Sequence, residues 1–189
     1  MRKVTIITTG GTIEKTYDDR SGSLLNRSSV LPKMLRRLRL EDTAVNIIEL
    51  MSKDSLLMTD EDRGRIVEMV KAVGGIGSQD PFDPDPAVTN GIVITHGTDT
   101  LCMSGEVLHR EIPSPRIPIV LTGAMRPYEM VRSDALQNLT EAIFATWTLP
   151  PGVYAVAHGR ALRFPGVEKN RDRGTFEAAA GSVHRDPSS

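Results

Sequence analysis

Cysteine is almost absent from this sequence: Cys102 is the single thiol in 189 residues. One thiol forms no internal disulfide, and no metal-ligand spacing surrounds it, so a reducing compartment is the expected setting. Net charge is also close to nil, at −1. That leaves no electrostatic footprint for nucleic acid or an anionic membrane. No stretch approaches the roughly 18 apolar residues of a membrane span. The opening MRKVTIITTGGT is basic and then briefly apolar. Its apolar run is shorter than a signal h-region and ends in glycines rather than a cleavage site. It predicts a first strand and a cytoplasmic protein. The Gly-Gly turn also lacks the G-x-G-x-x-G fingerprint of dinucleotide binding. What remains is an ordinary balance of 39% hydrophobic and 25% charged residues, long enough for one domain with a full core and too short for two.

Short apolar runs alternate with helix-period segments. The runs are Val4–Thr8, Val45–Leu50, Gly91–Thr95, Pro118–Thr122 and Gly152–Ala157. Their continuous apolar character suits strands buried on both faces. Between them, Leu31, Met34, Leu35 and Leu38 share one helical face, and Ile66, Val67, Val70 and Val73 share another. The second follows Thr59-Asp60-Glu61-Asp62, which reads as a capping box. Leu136, Leu139 and Ile143 form a third stripe with Ser133 as N-cap, and Thr100–His109 is a weaker helical segment. The alternation predicts an α/β fold: a single flavodoxin/Rossmann-like domain with a mostly parallel sheet flanked by helices. Residues 74–90 are rich in Gly, Pro and Asp and predict an exposed loop. The expected organisation is a single domain over 1–177 and a frayed tail over 178–189.

In such sheets ligands sit beyond the carboxyl ends of the strands, so motifs that directly follow strands carry the most weight. Four do. Thr8–Ile13 holds paired glycines, which permit positive φ and close backbone approach, followed by a hydroxyl at Thr12; the plainer reading is a glycine turn that only reverses the chain. Thr95–Thr100 packs a histidine, a glycine, hydroxyls and a carboxylate into one turn, where capping by Asp99 needs only one of them. Gly123–Pro127 presents small residues, with Arg126 expected to pair with a nearby carboxylate. Met51–Thr59 carries Ser52, Lys53, Asp54 and Ser55, which a solvated polar loop would also explain.

Together these segments resemble the N-terminal domain of the bacterial-type L-asparaginases, from Val4 to about Phe176. The family's TGGTI signature matches Thr9–Ile13, its HGTDT signature matches His96–Thr100, and its GAMRP segment matches Gly123–Pro127, followed by Asp134 and Asn138. The resemblance implies Thr12 as nucleophile, Thr98 as second active threonine, and Asp99 as substrate-binding aspartate. It implies Lys169, before Thr175-Phe176, as the active-site lysine, and Tyr17 as the flexible-loop tyrosine. Gly11, Asp54, Ser55, Gly97 and Ala124 fall on its substrate-contacting positions, Ser55 as the carboxylate-binding serine. Two departures stand out. The second domain of the long members, which helps hold the substrate's amino group, has no counterpart in these residues. Leu56 stands where long relatives often carry a polar substrate contact.

These residue types suit amide hydrolysis. An amide is a poor electrophile and an unaided hydroxyl a weak nucleophile, so Thr12 needs a proton acceptor, oxyanion donors and a proton for departing ammonia. Thr98, Lys169, Asp99 and Tyr17 are the candidate proton carriers, and backbone N–H groups around Gly11 and Thr98 the candidate oxyanion donors. The implied activity is hydrolysis of L-asparagine to L-aspartate and ammonia through a threonine acyl-enzyme. The alternatives are hydrolysis of another small amide such as glutamine, or a silent module that binds aspartate-like ligands. No cofactor or metal is required. The expected partners are a small-molecule amide and a second copy of the chain, as a homodimer or larger homo-oligomer, because a domain without its usual neighbour leaves apolar surface to cover. No nucleic acid or membrane partner is expected.

Overall fold

The computed structural model describes residues 1–26, 29–76 and 89–180. In chain order the elements are β1 (Arg2–Gly10), β2 (Thr16–Asp18), β3 (Ser23–Leu25), α1 (Leu31–Leu35), β4 (Thr43–Lys53), α2 (Asp60–Val70), β5 (Gly91–Thr95), α3 (Leu101–Glu111), β6 (Pro118–Thr122), α4 (Ala135–Thr148), β7 (Gly152–Ala157), β8 (Arg160–Arg163), β9 (Val167–Asn170) and β10 (Thr175–Ala178). The main sheet runs β4-β1-β5-β6-β7-β8. Its first five strands are parallel and β8 runs antiparallel to β7.

The continuous apolar runs become buried strands for the reason period-2 geometry gives. Ile92 and Ile94 of β5, with Ile119 and Leu121 of β6, face one cluster beneath α2 and α3. The alternate residues Val93 and Val120 face a second cluster beneath α1 and α4. Both faces are therefore apolar and both are covered. β4 departs from this expectation. It pairs with β1 alone and lies at the sheet edge, so its residues are half-buried or exposed.

The helices follow their patterns with local corrections. Thr59 and Asp62 form the reciprocal capping box at the start of α2. Asp134, not Ser133, occupies the N-cap of α4, although the Ser133 hydroxyl accepts from the Ala135 N–H at 3.1 Å. α1 stops at Leu35 because the next bonds tighten to i→i+3 spacing, Arg37 N–H to Met34 O and Leu38 N–H to Leu35 O. The hairpin β9–β10 continues through Ala178, the first residue of the expected tail, and the Ala179 N–H donates to Gly166 O at 2.9 Å. Residues 77–88 of the expected loop and 181–189 of the expected tail lie outside the described residues. Among those described, no helix is long and apolar enough to cross a membrane.

Renumbered along the chain, the five parallel strands stand in the order 2-1-3-4-5, the flavodoxin-like arrangement. The connections leave β1 toward β4 on one side, then cross back to β5 on the other. The carboxyl ends of β1 and β5 thus flank the topological switch point. There the strand-following loops part and leave a crevice for a ligand.

Candidate active site

Four sheet loops converge on that crevice. β1 ends in Gly10, and Gly11 leads into a 3-10 turn that begins at Thr12. Gly11 has φ of 84°, and a Cβ there would collide with the Gly97 backbone in the loop after β5. Gly97 in turn leaves no room for a side chain, because a Cβ would meet the Ser55 side chain in the loop after β4. A Cβ on Gly123, after β6, would strike the His96 carbonyl and approach Thr98 Cγ2 at 3.1 Å. Gly11 and Gly97 are therefore small because three loops touch there.

Lys169 reaches the crevice from β9. Its Nζ donates to Thr98 Oγ1 at 2.8 Å and to Asp99 Oδ1 at 2.9 Å. Asp99 does not cap α3: Thr100 holds that position, without a side-chain cap bond. The Asp99 carboxylate instead faces cations. The Lys169 hydrogen bond outweighs burial and holds its carboxyl below the ordinary aspartate range, so it is ionised at neutral pH. The Thr12 hydroxyl forms no hydrogen bond with the described residues. Cys102 offers no competing nucleophile, since burial pushes its thiol up to about 12.

The other expected site residues divide. Ser55 is buried against Gly97, and Thr100 Oγ1 donates to its carbonyl at 2.9 Å. Ala124 is buried in the loop after β6. Asp54 is occupied structurally: Lys15 Nζ donates to it at 2.9 Å, and it accepts from the Leu56 N–H at 3.1 Å, capping a short turn. Tyr17 sits on the β2–β3 hairpin with 60% of its surface exposed. Its backbone N–H reaches Glu129 at 3.4 Å, and its hydroxyl makes no hydrogen bond with the described residues. A groove of about 480 Å³ between α2 and α3, lined by Arg63, Val67 and Arg110 among others, lies away from this crevice and contains none of the motif residues.

His96 is a buttress. Its Nδ1 lies 2.8 Å from Gly97 O and its Nε2 lies 2.8 Å from Ser104 Oγ. A carbonyl only accepts, so Nδ1 carries the proton and Nε2 accepts from Ser104. Burial pushes its pKa down to about 4. The unfolded chain takes up a proton below the ordinary 6.5 that the buried ring refuses until about 4. Stability at neutral pH is thus unaffected by this group and falls as pH drops across that window, by roughly 3 kcal/mol. Urea midpoints for wild type and His96→Asn between pH 7 and 4 check this. The variant should lose less stability over the window, and parallel curves would contradict the assignment.

Sequence reasoning gave no role to three supports. Arg171 Nη1 donates to the same Asp99 Oδ1 at 2.9 Å; its signal was its position two residues past Lys169. Asp134 accepts from the Met125 and Arg126 N–H groups and from His158 Nε2 at 2.7 Å. Burial alone would raise its carboxyl, but these donors hold it low. Arg126 therefore meets a carboxylate through its backbone, not through the expected side-chain pair. Glu14, two residues after Thr12, is buried with its pKa raised by burial and accepts from Ser29 Oγ at 2.5 Å.

Comparison with known proteins follows the same residues. Residues 3–181 match the family model described as "Asparaginase, N-terminal". An L-asparaginase from Thermococcus kodakarensis is 35% identical over 154 residues, which cover 80% of this chain and 43% of that protein. One component of the glutamyl-tRNA(Gln) amidotransferase of Methanococcus vannielii is 28% identical over 169 residues, covering 84% and 35%. The solved structure of the thermostable L-asparaginase from Thermococcus kodakarensis superposes with a TM-score of 0.76 at 29% identity, covering 93% of this chain and 51% of that one. The chain spans less than half the length of the two relatives matched by sequence. A family match across nearly all of the described residues, with the signature loops at the switch point, shows that this chain belongs to the asparaginase family through its N-terminal domain.

Proposed function

We propose that this chain is an amidohydrolase that releases ammonia from a small carboxamide, with L-asparagine as the first substrate to test and Thr12 as nucleophile. The observation that carries the reading is Lys169 Nζ bridging Thr98 Oγ1 and Asp99 Oδ1, across the Gly11–Gly97 contact that brings in the Thr12 turn. Thr12 Oγ attacks the amide carbon and an oxyanion develops, met by backbone N–H groups of the Gly11 and Thr98 loops, worth about 3–4 kcal/mol per donor. The C–N bond breaks, and the proton lost by Thr12 is delivered to the departing nitrogen, giving ammonia and an ester on Thr12. Thr98, hydrogen-bonded by Lys169, lies on the proton path. Water then attacks the ester, the product leaves as its acid, and the Thr12 hydroxyl is restored. Asp99 serves as a carboxylate for a substrate ammonium and fixes Lys169.

Glutamine is the second substrate to test, because the relatives include amidotransferase components as well as asparaginases. The test is ammonia release from asparagine, glutamine and a panel of simple amides. Turnover of at least one is expected. Binding of aspartate without hydrolysis of any amide would overturn the reading in favour of a silent binding module.

A further inference from the structure

We infer that His158 is a positioning residue that clamps the hairpin carrying Lys169 to the loop after β6 and so holds Lys169 Nζ against Thr98. The inference rests on the amidohydrolase reading above and adds a residue that acts through Lys169 without touching substrate. β7 and β8 are joined by His158 and Gly159 alone, since Ala157 pairs with Arg160. Both turn residues have positive φ, 56° at His158 and 74° at Gly159. A two-residue hairpin turn with positive φ at both positions is best served by Asn-Gly or Gly-Gly. A histidine is therefore a less favourable occupant than asparagine, and turn geometry alone gives no reason for it. The reason lies in what the imidazole touches.

Nε2 donates to Asp134 Oδ2 at 2.7 Å, because that carboxylate, held ionised by its donors, only accepts. Nδ1 lies 3.0 Å from Thr175 Oγ1, a hydroxyl that donates or accepts as the ring requires. The two partners belong to different walls of the crevice. Asp134 gathers the Met125 and Arg126 N–H groups and so fixes the loop after β6. Thr175 opens β10 and stands opposite Asn170 of β9, beside the pair Phe176 and Lys169. Side chains alternate along a strand, so Thr175 and Asn170 share one face of the hairpin and Lys169 and Phe176 the other. Phe176 anchors the Lys169 face in the core, and His158 grips the hairpin from the opposite face. The turn backbone is held separately. The His158 N–H donates to Asn138 Oδ1 at 3.0 Å and the Gly159 N–H to Glu141 Oε2 at 2.8 Å. Replacing the imidazole leaves both bonds in place. Lys169 serves the proton path only while Nζ stays near Thr98 Oγ1, at 2.8 Å, and a misplacement of about 1 Å can cost about 100-fold in rate.

Two variants test the clamp. His158→Asn keeps a residue suited to the turn and removes the imidazole. Thr175→Val keeps the shape of the threonine and removes only its hydroxyl. In His158→Asn, kcat for asparagine, or for the best amide of the panel, is expected to fall about tenfold or more with KM within about threefold, because Ser55 and Asp99 are untouched. Thr175→Val is expected to lower kcat in the same direction by less, since Asp134 keeps its partner. In a Lys169→Met background neither substitution should lower kcat further, because the lysine they position is gone. A kcat within about twofold of wild type in His158→Asn, a loss carried by KM, or an equal loss in both backgrounds overturns the inference. If wild type hydrolyses no amide of the panel, the amidohydrolase reading fails and hydrogen exchange decides the clamp. Faster exchange of the 167–178 amides in His158→Asn, with β1 and β5 unchanged, supports it; exchange equal to wild type overturns it.

Discussion

Thr12→Ala should lower amide turnover by roughly 10⁴-fold or more while the protein folds and melts as wild type. Thr12 opens a 3-10 turn whose preceding residue, Gly11, makes no side-chain cap bond, and its hydroxyl forms no hydrogen bond with the described residues. Removing the hydroxyl therefore deletes no structural contact, and the stability change should stay under about 1 kcal/mol. The Gly11–Gly97 backbone contact that positions the turn is untouched. Thr12→Ser keeps an oxygen at the same place and should retain measurable turnover. A Thr12→Ala enzyme with a near-normal rate would show that another group attacks the amide.

Lys169→Met carries the second large effect. Methionine fills the space of a side chain that is only 15% exposed but removes the donor to Thr98 Oγ1 and the inner counter-charge of Asp99. Arg171 still pairs with Asp99, so the fold should hold. The proton path should not, and kcat should drop by about 10²–10⁴-fold, the range for a positioned acid–base group. The Asp99 carboxyl, held low first by the Lys169 hydrogen bond, should move back toward the ordinary aspartate value. Carbon-13 titration of Asp99 together with steady-state kinetics checks both parts. A kcat within tenfold of wild type would place Lys169 outside the chemistry.

Much of this arrangement was legible in local patterns. The strands were visible because Ile92–Ile94 and Ile119–Leu121 are apolar at every position, as a strand covered on both faces must be. Thr12 and Thr98 stood out because each lies in a short motif that follows a strand, whereas Lys169 was reached only through the family resemblance. What local pattern could not supply was the meeting of side chains across the chain. Capping was the plainer alternative for Asp99, since an Asp just before a helix is a common cap; a lysine 70 residues away instead donates to its carboxylate. Asp54 was expected as a substrate contact, and local pattern gave no sign that Lys15, from the turn after Thr12, pairs with it. β8, β9 and β10 went unread because each is four residues long with exposed polar positions, too short for period-2 alternation to stand out. Arg171, in the turn of that hairpin, was missed with them.

The central claim is a covalent bond from Thr12 to the acyl group of the substrate. Rapid acid quench during turnover of asparagine, followed by digestion and mass spectrometry, tests it directly. The account predicts an aspartyl ester on the peptide containing Thr12, present in wild type, reduced or slower to form in Lys169→Met, and absent in Thr12→Ala. Turnover with no ester on that peptide at any quench time, or an adduct on a different residue, would contradict it.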